Sequence, residues 1–159
     1  MRYYFAPMEG VTGAAFRQIH RRVFPEPDRD YMPFISPTGD HCFTPRQLRE
    51  IAPEHNEGVP CVPQLMTRNA EDFLWAAGEL RTMGYDEVDL NLGCPSGTVT
   101  AKKKGAGFLS VPEELDAFLD TVFSRSPLPV SLKTRLGVHD PEEFPRLLDI
   151  YAKYPVAEL

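Results

Sequence analysis

The sequence predicts an α/β fold of the (βα)8 TIM-barrel type, left incomplete by the 159 residues present. Three observations predict it. Strand-like runs alternate with helix-like runs, the strand runs end in polar or special residues, and no glycine-rich dinucleotide fingerprint follows the first strand. Strands separated by helices pair in parallel through right-handed crossovers, which leaves a doubly wound sheet or a barrel. The strand ends, namely Pro7-Met8-Glu9, Ser36, Gln64, Asn91 to Cys94 and Lys133-Thr134-Arg135, favour the barrel, because there all C-terminal strand ends converge on one site.

The strand runs are Tyr3 to Ala6, Tyr31 to Ile35, Cys61 to Leu65, Glu87 to Asn91 and Val130 to Thr134, rich in β-branched and aromatic residues. A helix pattern follows each. In the first, His20 shares an apolar stripe with Phe16, Ile19 and Val23, which reads as a satisfied structural histidine. Thr44, Pro45 and Gln47 start the second helix as cap, first position and box partner. Asn69 caps the third, with Phe73, Ala76, Ala77 and Leu80 on one face, Trp75 packing beside them and Gly84 as the stop. Ser110 with Glu113 reads as a capping box before Leu115, Phe118, Leu119 and Val122. Asp140, Pro141 and Glu143 open the last helix, whose stripe is Phe144, Leu147, Leu148 and Tyr151. Val156 to Leu159 looks like the start of a sixth strand, so the expectation is five βα units of a barrel that typically takes about 250 residues. Open parallel edges of that kind predict a fragment, or self-association through those edges.

The composition, 42% hydrophobic and 25% charged, suits one soluble domain with a sizeable core. No apolar run reaches membrane-spanning length, and Pro7 breaks the opening too early for a signal peptide, so a cytoplasmic location is expected. Cys42, Cys61 and Cys94 form no pair with metal-ligand spacing, and His41, His55 and His139 sit in loops. Reduced thiols and no metal are expected. The net charge of −6 is uneven: residues 1–50 carry 7 basic and 6 acidic side chains, residues 51–100 carry 2 and 8, and the rest 8 and 9. Any nucleic-acid contact must be local, and Lys102-Lys103-Lys104 before Gly105-Ala106-Gly107 is the best local candidate.

Asn91-Leu92-Gly93-Cys94-Pro95-Ser96 is the segment that points to chemistry. Val88 and Leu90 face one side of the strand before it, Gly93 permits close backbone approach, and Pro95 ends the ladder, so Cys94 sits on a fixed turn. A thiol with a reference pKa of about 8.5 stays mostly protonated near neutral pH and serves as a general acid when held within reach. Cys61, in an apolar strand, and Cys42, in a loop, read as structural.

Five ordered motifs resemble the flavin-dependent tRNA-dihydrouridine synthases. They are Ala6-Pro7-Met8-Glu9-Gly10-Val11-Thr12, Pro63-Gln64-Leu65, Asp89 to Pro95, Lys104-Gly105-Ala106-Gly107 and Ser131 to Gly137. The resemblance implies reduced FMN passing hydride to C6 of a flipped-out uridine in tRNA, with NADPH or NADH as electron donor and Cys94 donating a proton at C5. It further implies that Pro7, Met8 and Glu9 lie under the flavin, that Gln64 meets the ring edge and that Lys133 stabilises the negative charge of the reduced ring. Asn91 orients flavin or uracil in the same reading, while Arg68, Arg135 and the three lysines contact tRNA phosphates. The family's remaining strands and C-terminal helical domain have no counterpart among these residues. Weak RNA binding and little synthase activity are therefore expected of this chain. Two other readings stand beside it: a flavin barrel of the dihydroorotate dehydrogenase type, and a non-catalytic half-barrel that pairs with another chain.

Overall fold

The computed structural model describes all 159 residues. Its strands are β1 (Tyr4–Phe5), β2 (Arg29–Tyr31), β3 (Cys61–Val62), β4 (Gln64–Leu65), β5 (Val88–Asn91) and β6 (Val130–Lys133). The helices are α1 (Ala14–Val23), α2 (Pro45–Ile51), α3 (Ala70–Thr82), α4 (Gly97–Thr100), α5 (Pro112–Arg125) and α6 (Phe144–Tyr151). All strand pairs are parallel, in the orders β1-β2-β3 and β4-β5-β6. The α/β class is as expected, and the two sheets form an arc that backbone pairing does not close into a barrel, its ends meeting through side chains where Tyr4 Oη donates to Glu158 (2.6 Å).

Prolines interrupt two of the sequence runs, and β2 lies earlier than expected, at Arg29–Tyr31 in place of Tyr31 to Ile35. Pro63 lacks an N–H and divides the third run into β3 and β4, so one polypeptide stretch serves both sheets. Pro33 does the same to the second run: β2 ends at Tyr31, and Ile35 rejoins only as an isolated bridge to Leu65. No strand forms over 156–159, although Ala157 N–H donates to Val130 O and Leu132 N–H to Glu158 O, both at 2.9 Å.

The core lies between β4-β5-β6 and the helices α3, α5 and α6. Phe73, Ala76, Ala77 and Leu80 meet Leu115, Phe118, Leu119 and Val122 across the two longer helices. Phe118 is edge-on to Phe73 (6.1 Å) and to Phe108 (5.3 Å). Trp75 packs at the rim, stacked on His41 at 5.2 Å. The boxes at Thr44–Gln47 and Asp140–Glu143 and the Asn69 cap form as expected, and Gly84 ends α3 at φ +97°.

Three local expectations are corrected. Ser110 caps nothing: Pro112 takes the first helical position, which makes Val111 the N-cap, and the Ser110 hydroxyl donates to Gly107 O (2.7 Å). In α6 the buried face is Leu147, Ile150 and Tyr151, with Leu148 exposed. The α1 stripe lies against β1, where Phe16 stacks on Phe5 (6.0 Å), yet Phe16, Ile19 and Val23 stay exposed, while Arg17 beside them is fully buried. His20 stacks on Phe5 (4.2 Å), and its buried Nδ1 has no partner. Arg17 is inside because its guanidinium is well supplied with acceptors: Thr12 O at 2.8 Å, Asn56 Oδ1 at 2.6 Å and the Glu50 carboxylate.

Candidate active site

Because every strand runs the same way, the segments that follow β1, β4, β5 and β6 emerge at one edge of the arc. This places the loops of Pro7, Arg68, Cys94 and Lys133 on the same side. Strand alternation supplies the rest. With Val88 and Leu90 in the core, Asp89 and Asn91 project from the other face of β5. Register puts Gln64 beside Asp89 on one flank, and Ser131 and Lys133 beside Asp89 and Asn91 on the other.

These side chains form a continuous polar row in the interior. Ser131 Oγ donates to Asp89 Oδ1 (2.9 Å), and Gln64 Nε2 donates to Asp89 Oδ2 (2.6 Å). Asn91 Nδ2 donates to Gln64 Oε1 (2.7 Å), while Asn91 Oδ1 accepts the backbone N–H groups of Gly93 (3.1 Å) and Cys94 (3.0 Å). The cysteine turn is thus held by an Asn side chain, as in an Asx turn. Burial pushes the Asp89 carboxyl up to about 7, with nearby Glu87 adding to the rise, while the bonds from Gln64 and Ser131 and the charge of Lys133 oppose it. Asp89 and Ser131 lie within two of the five motifs but were given no role from the sequence; the alternation of Val88 and Leu90 already placed Asp89 with Asn91.

Cys94 is half-buried on the turn after β5. Its carbonyl accepts Ala106 N–H at 3.0 Å, which brings the Lys104-Gly105-Ala106-Gly107 segment against it. Gly105 adopts φ +53°, and a Cβ there would lie 2.8 Å from Cys94 O, so both conformation and space require glycine. Of the other cysteines, burial pushes the Cys61 thiol up to about 11, and Cys42 is exposed.

A cavity of about 340 Å³ opens beside this row, lined by Pro7, Tyr31, Asp89, Ser131 and Lys133 among others. Lys133 is exposed at its mouth. A larger void of about 1140 Å³ lies between α1 and α2 and includes Glu9, Gln18 and Glu50. It contains none of the interior row. The smaller one is lined by Asp89 and Ser131 of that row. The candidate residues therefore divide. Pro7 and Lys133 share the cavity, and Gln64, Asn91 and Cys94 join it through Asp89. Met8 is exposed, and Glu9 faces the outer void.

The basic candidates surround the same edge. Arg68 and Lys103 both reach the Glu114 carboxylate, at 2.7 and 3.6 Å. Lys102 and Arg135 are exposed and Lys104 is half-buried. No group of three or more His, Cys, Asp or Glu side chains is placed to share a metal ion, and no helix is long and apolar enough to cross a membrane.

Comparison with known proteins gives this geometry a family. The family model "Dihydrouridine synthase (Dus)" matches residues 4–152. The chain is 35% identical over 138 residues to the probable tRNA-dihydrouridine synthase 1 of Synechocystis sp., covering 86% of this chain and 38% of that protein. It is 30% identical over 145 residues to the tRNA-dihydrouridine(16) synthase of Neisseria meningitidis, with 87% and 44% covered. Against a probable tRNA-dihydrouridine synthase of Staphylococcus aureus the figures are 31% over 163 residues, with 99% and 48% covered. The chain spans less than half the length of these relatives, and over that span it belongs to the dihydrouridine synthase family.

Proposed function

We propose that this chain is part of the (βα)8 barrel of a flavin-dependent tRNA-dihydrouridine synthase, in which Cys94 delivers a proton to C5 of a uridine. The observation that carries the reading is the cysteine turn: a half-buried thiol at a strand end, held from inside by Asn91 and from outside by the Gly105 segment. A general acid has to be held in place before its acidity matters, and this turn is held at both ends.

The residues present fit FMN. Lys133 offers an exposed cation at the mouth of a cavity whose wall includes Pro7, which suits an anionic ring edge. Gln64 and Asn91 retain one unused amide hydrogen each for ring carbonyls or the uracil. When bound, FMN reduced by NADPH or NADH supplies the hydride for C6. The chain's own task is to bind and orient the two rings and to hold a proton on Cys94 Sγ. Arg68, Arg135 and the lysines at 102–104 meet the tRNA phosphates, with Arg68 and Lys103 exchanging Glu114 for phosphate. A tRNA substrate fits a cytoplasmic setting for this work.

Since the 159 residues span under half of the relatives, little or no turnover is expected from them alone. The test is a visible absorption spectrum of the purified chain after incubation with FMN and removal of free ligand. A retained flavin band supports the synthase reading, and Cys94→Ala should leave that band intact. A second reading, a non-catalytic module that pairs with another chain or with its own copy, draws on the exposed Phe16, Ile19 and Val23 of α1. It needs no flavin, so absence of the band in a folded chain favours it.

A further inference from the structure

Asp89 takes no part in the chemistry proposed above, yet it ends a chain of hydrogen bonds that begins at the cysteine turn. Each link has a direction. The backbone N–H groups of Gly93 and Cys94 are obligate donors, so Asn91 must turn Oδ1 to them and Nδ2 toward Gln64. Gln64 must then present Oε1 to Asn91, which leaves Nε2 for Asp89. The row closes only on an acceptor, and the Asp89 carboxylate is the acceptor present.

We propose that Asp89 is a positioning residue: by accepting from Gln64 it locks the side-chain amides of Gln64 and Asn91 in one orientation and so holds the backbone turn that carries Cys94. Its burial supports this. A carboxyl 1% exposed costs stability that an apolar residue in the same strand would not, so its retention there calls for a role in ordering its neighbours. Ser131 completes the device. Of the groups around the carboxyl, Lys133 favours its charge while Glu87 opposes it, and Tyr31 shares the cavity wall. When Asp89 takes a proton, the hydroxyl can sit on Oδ1 with Ser131 Oγ as acceptor, leaving Oδ2 free to accept from Gln64. The orientation of the row then survives either protonation state.

The functional meaning of the inference rests on Cys94 as proton donor, but its test does not use activity. Amide hydrogen exchange at Gly93 and Cys94 is measured by NMR on the full chain, with Leu92, bonded to Lys133 O, as the reference within the same turn. Asp89→Ala should accelerate exchange at Gly93 and Cys94 by roughly tenfold, the worth of one lost hydrogen bond, and leave Leu92 near its wild-type rate. Asp89→Asn should restore protection, because the new amide can accept from Gln64 through its oxygen while its nitrogen donates to Ser131. Gln64→Leu should reproduce the acceleration, and adding Asp89→Ala to it should change nothing further, since both act through one path. Asp89→Ser, also too short to reach Gln64, carries the same expectation if Asp89→Ala does not fold.

Unchanged exchange at Gly93 and Cys94 in a folded Asp89→Ala or Asp89→Ser chain would overturn the proposal. So would an Asp89→Asn chain that exchanges as fast as Asp89→Ala, or an added acceleration on the Gln64→Leu background. The flavin spectrum is independent of these rates. A chain without a flavin band can still show the relay, and a flavin-retaining chain can still lack it.

Discussion

Replacing Asp89 by Asn should make the chain more stable, and by an amount that grows with pH. The carboxyl moves from an ordinary 3.8 to about 7 in the folded chain. The folded form therefore holds its proton more tightly than the unfolded form does. With the folded value raised, the contribution of the protonated carboxyl is fully present below about pH 4 and is lost as pH rises through about 7. A gap of about three pH units, at about 1.36 kcal/mol each, is on the order of 4 kcal/mol. The amide introduced by Asp89→Asn does not titrate, so the stability difference between that variant and wild type should widen by this amount between pH 4 and pH 8. Urea denaturation followed by far-UV circular dichroism at five pH values in that range measures it. Two curves that run parallel across the range would refute the reasoning, because they would mean that the interior row solvates the carboxylate as well as water does.

Three further perturbations test the frame around the site. Gly105→Ala should cost about 1–3 kcal/mol, since alanine must take φ +53° with its Cβ against Cys94 O; urea denaturation gives the cost, and alkylation of Cys94 should change rate in parallel. Phe118→Ala removes the ring shared by Phe73 and Phe108 and should cost about 3–5 kcal/mol in the same assay. Arg17→Met strips the partner from Glu50, Asn56 and the Thr12 carbonyl and should also cost about 3–5 kcal/mol; a loss below about 1 kcal/mol would show that the buried guanidinium is dispensable.

What was legible in the sequence follows from the range of each interaction. Caps at Thr44, Asn69 and Asp140 depend on residues two or three positions away, and they form as read. The Ser110 box met the same local rule but lost to Pro112, whose fixed φ moved the helix start by one residue. Alternation along Val88 to Asn91 revealed which face Asn91 takes, whereas the partners that turn Asp89, Gln64 and Ser131 into one row lie 25 and 42 residues apart and meet only through strand register. The burial of Arg17 escaped for the same reason: its partners Glu50 and Asn56 are 33 and 39 residues away, and periodicity carries no trace of them. Motif order, by contrast, needs no geometry, and it was enough to indicate the family over nearly the whole chain.

The bond from Ala106 N–H to Cys94 O closes residues 94–106 into a small lasso with its knot beside the thiol. Three lysines directly precede the closing bond. Glycine at 105 lets the two backbones meet there, where a Cβ would lie 2.8 Å from Cys94 O. The backbone that carries the lysines is thus pinned, two residues on from the last of them, to the residue that carries the sulfur.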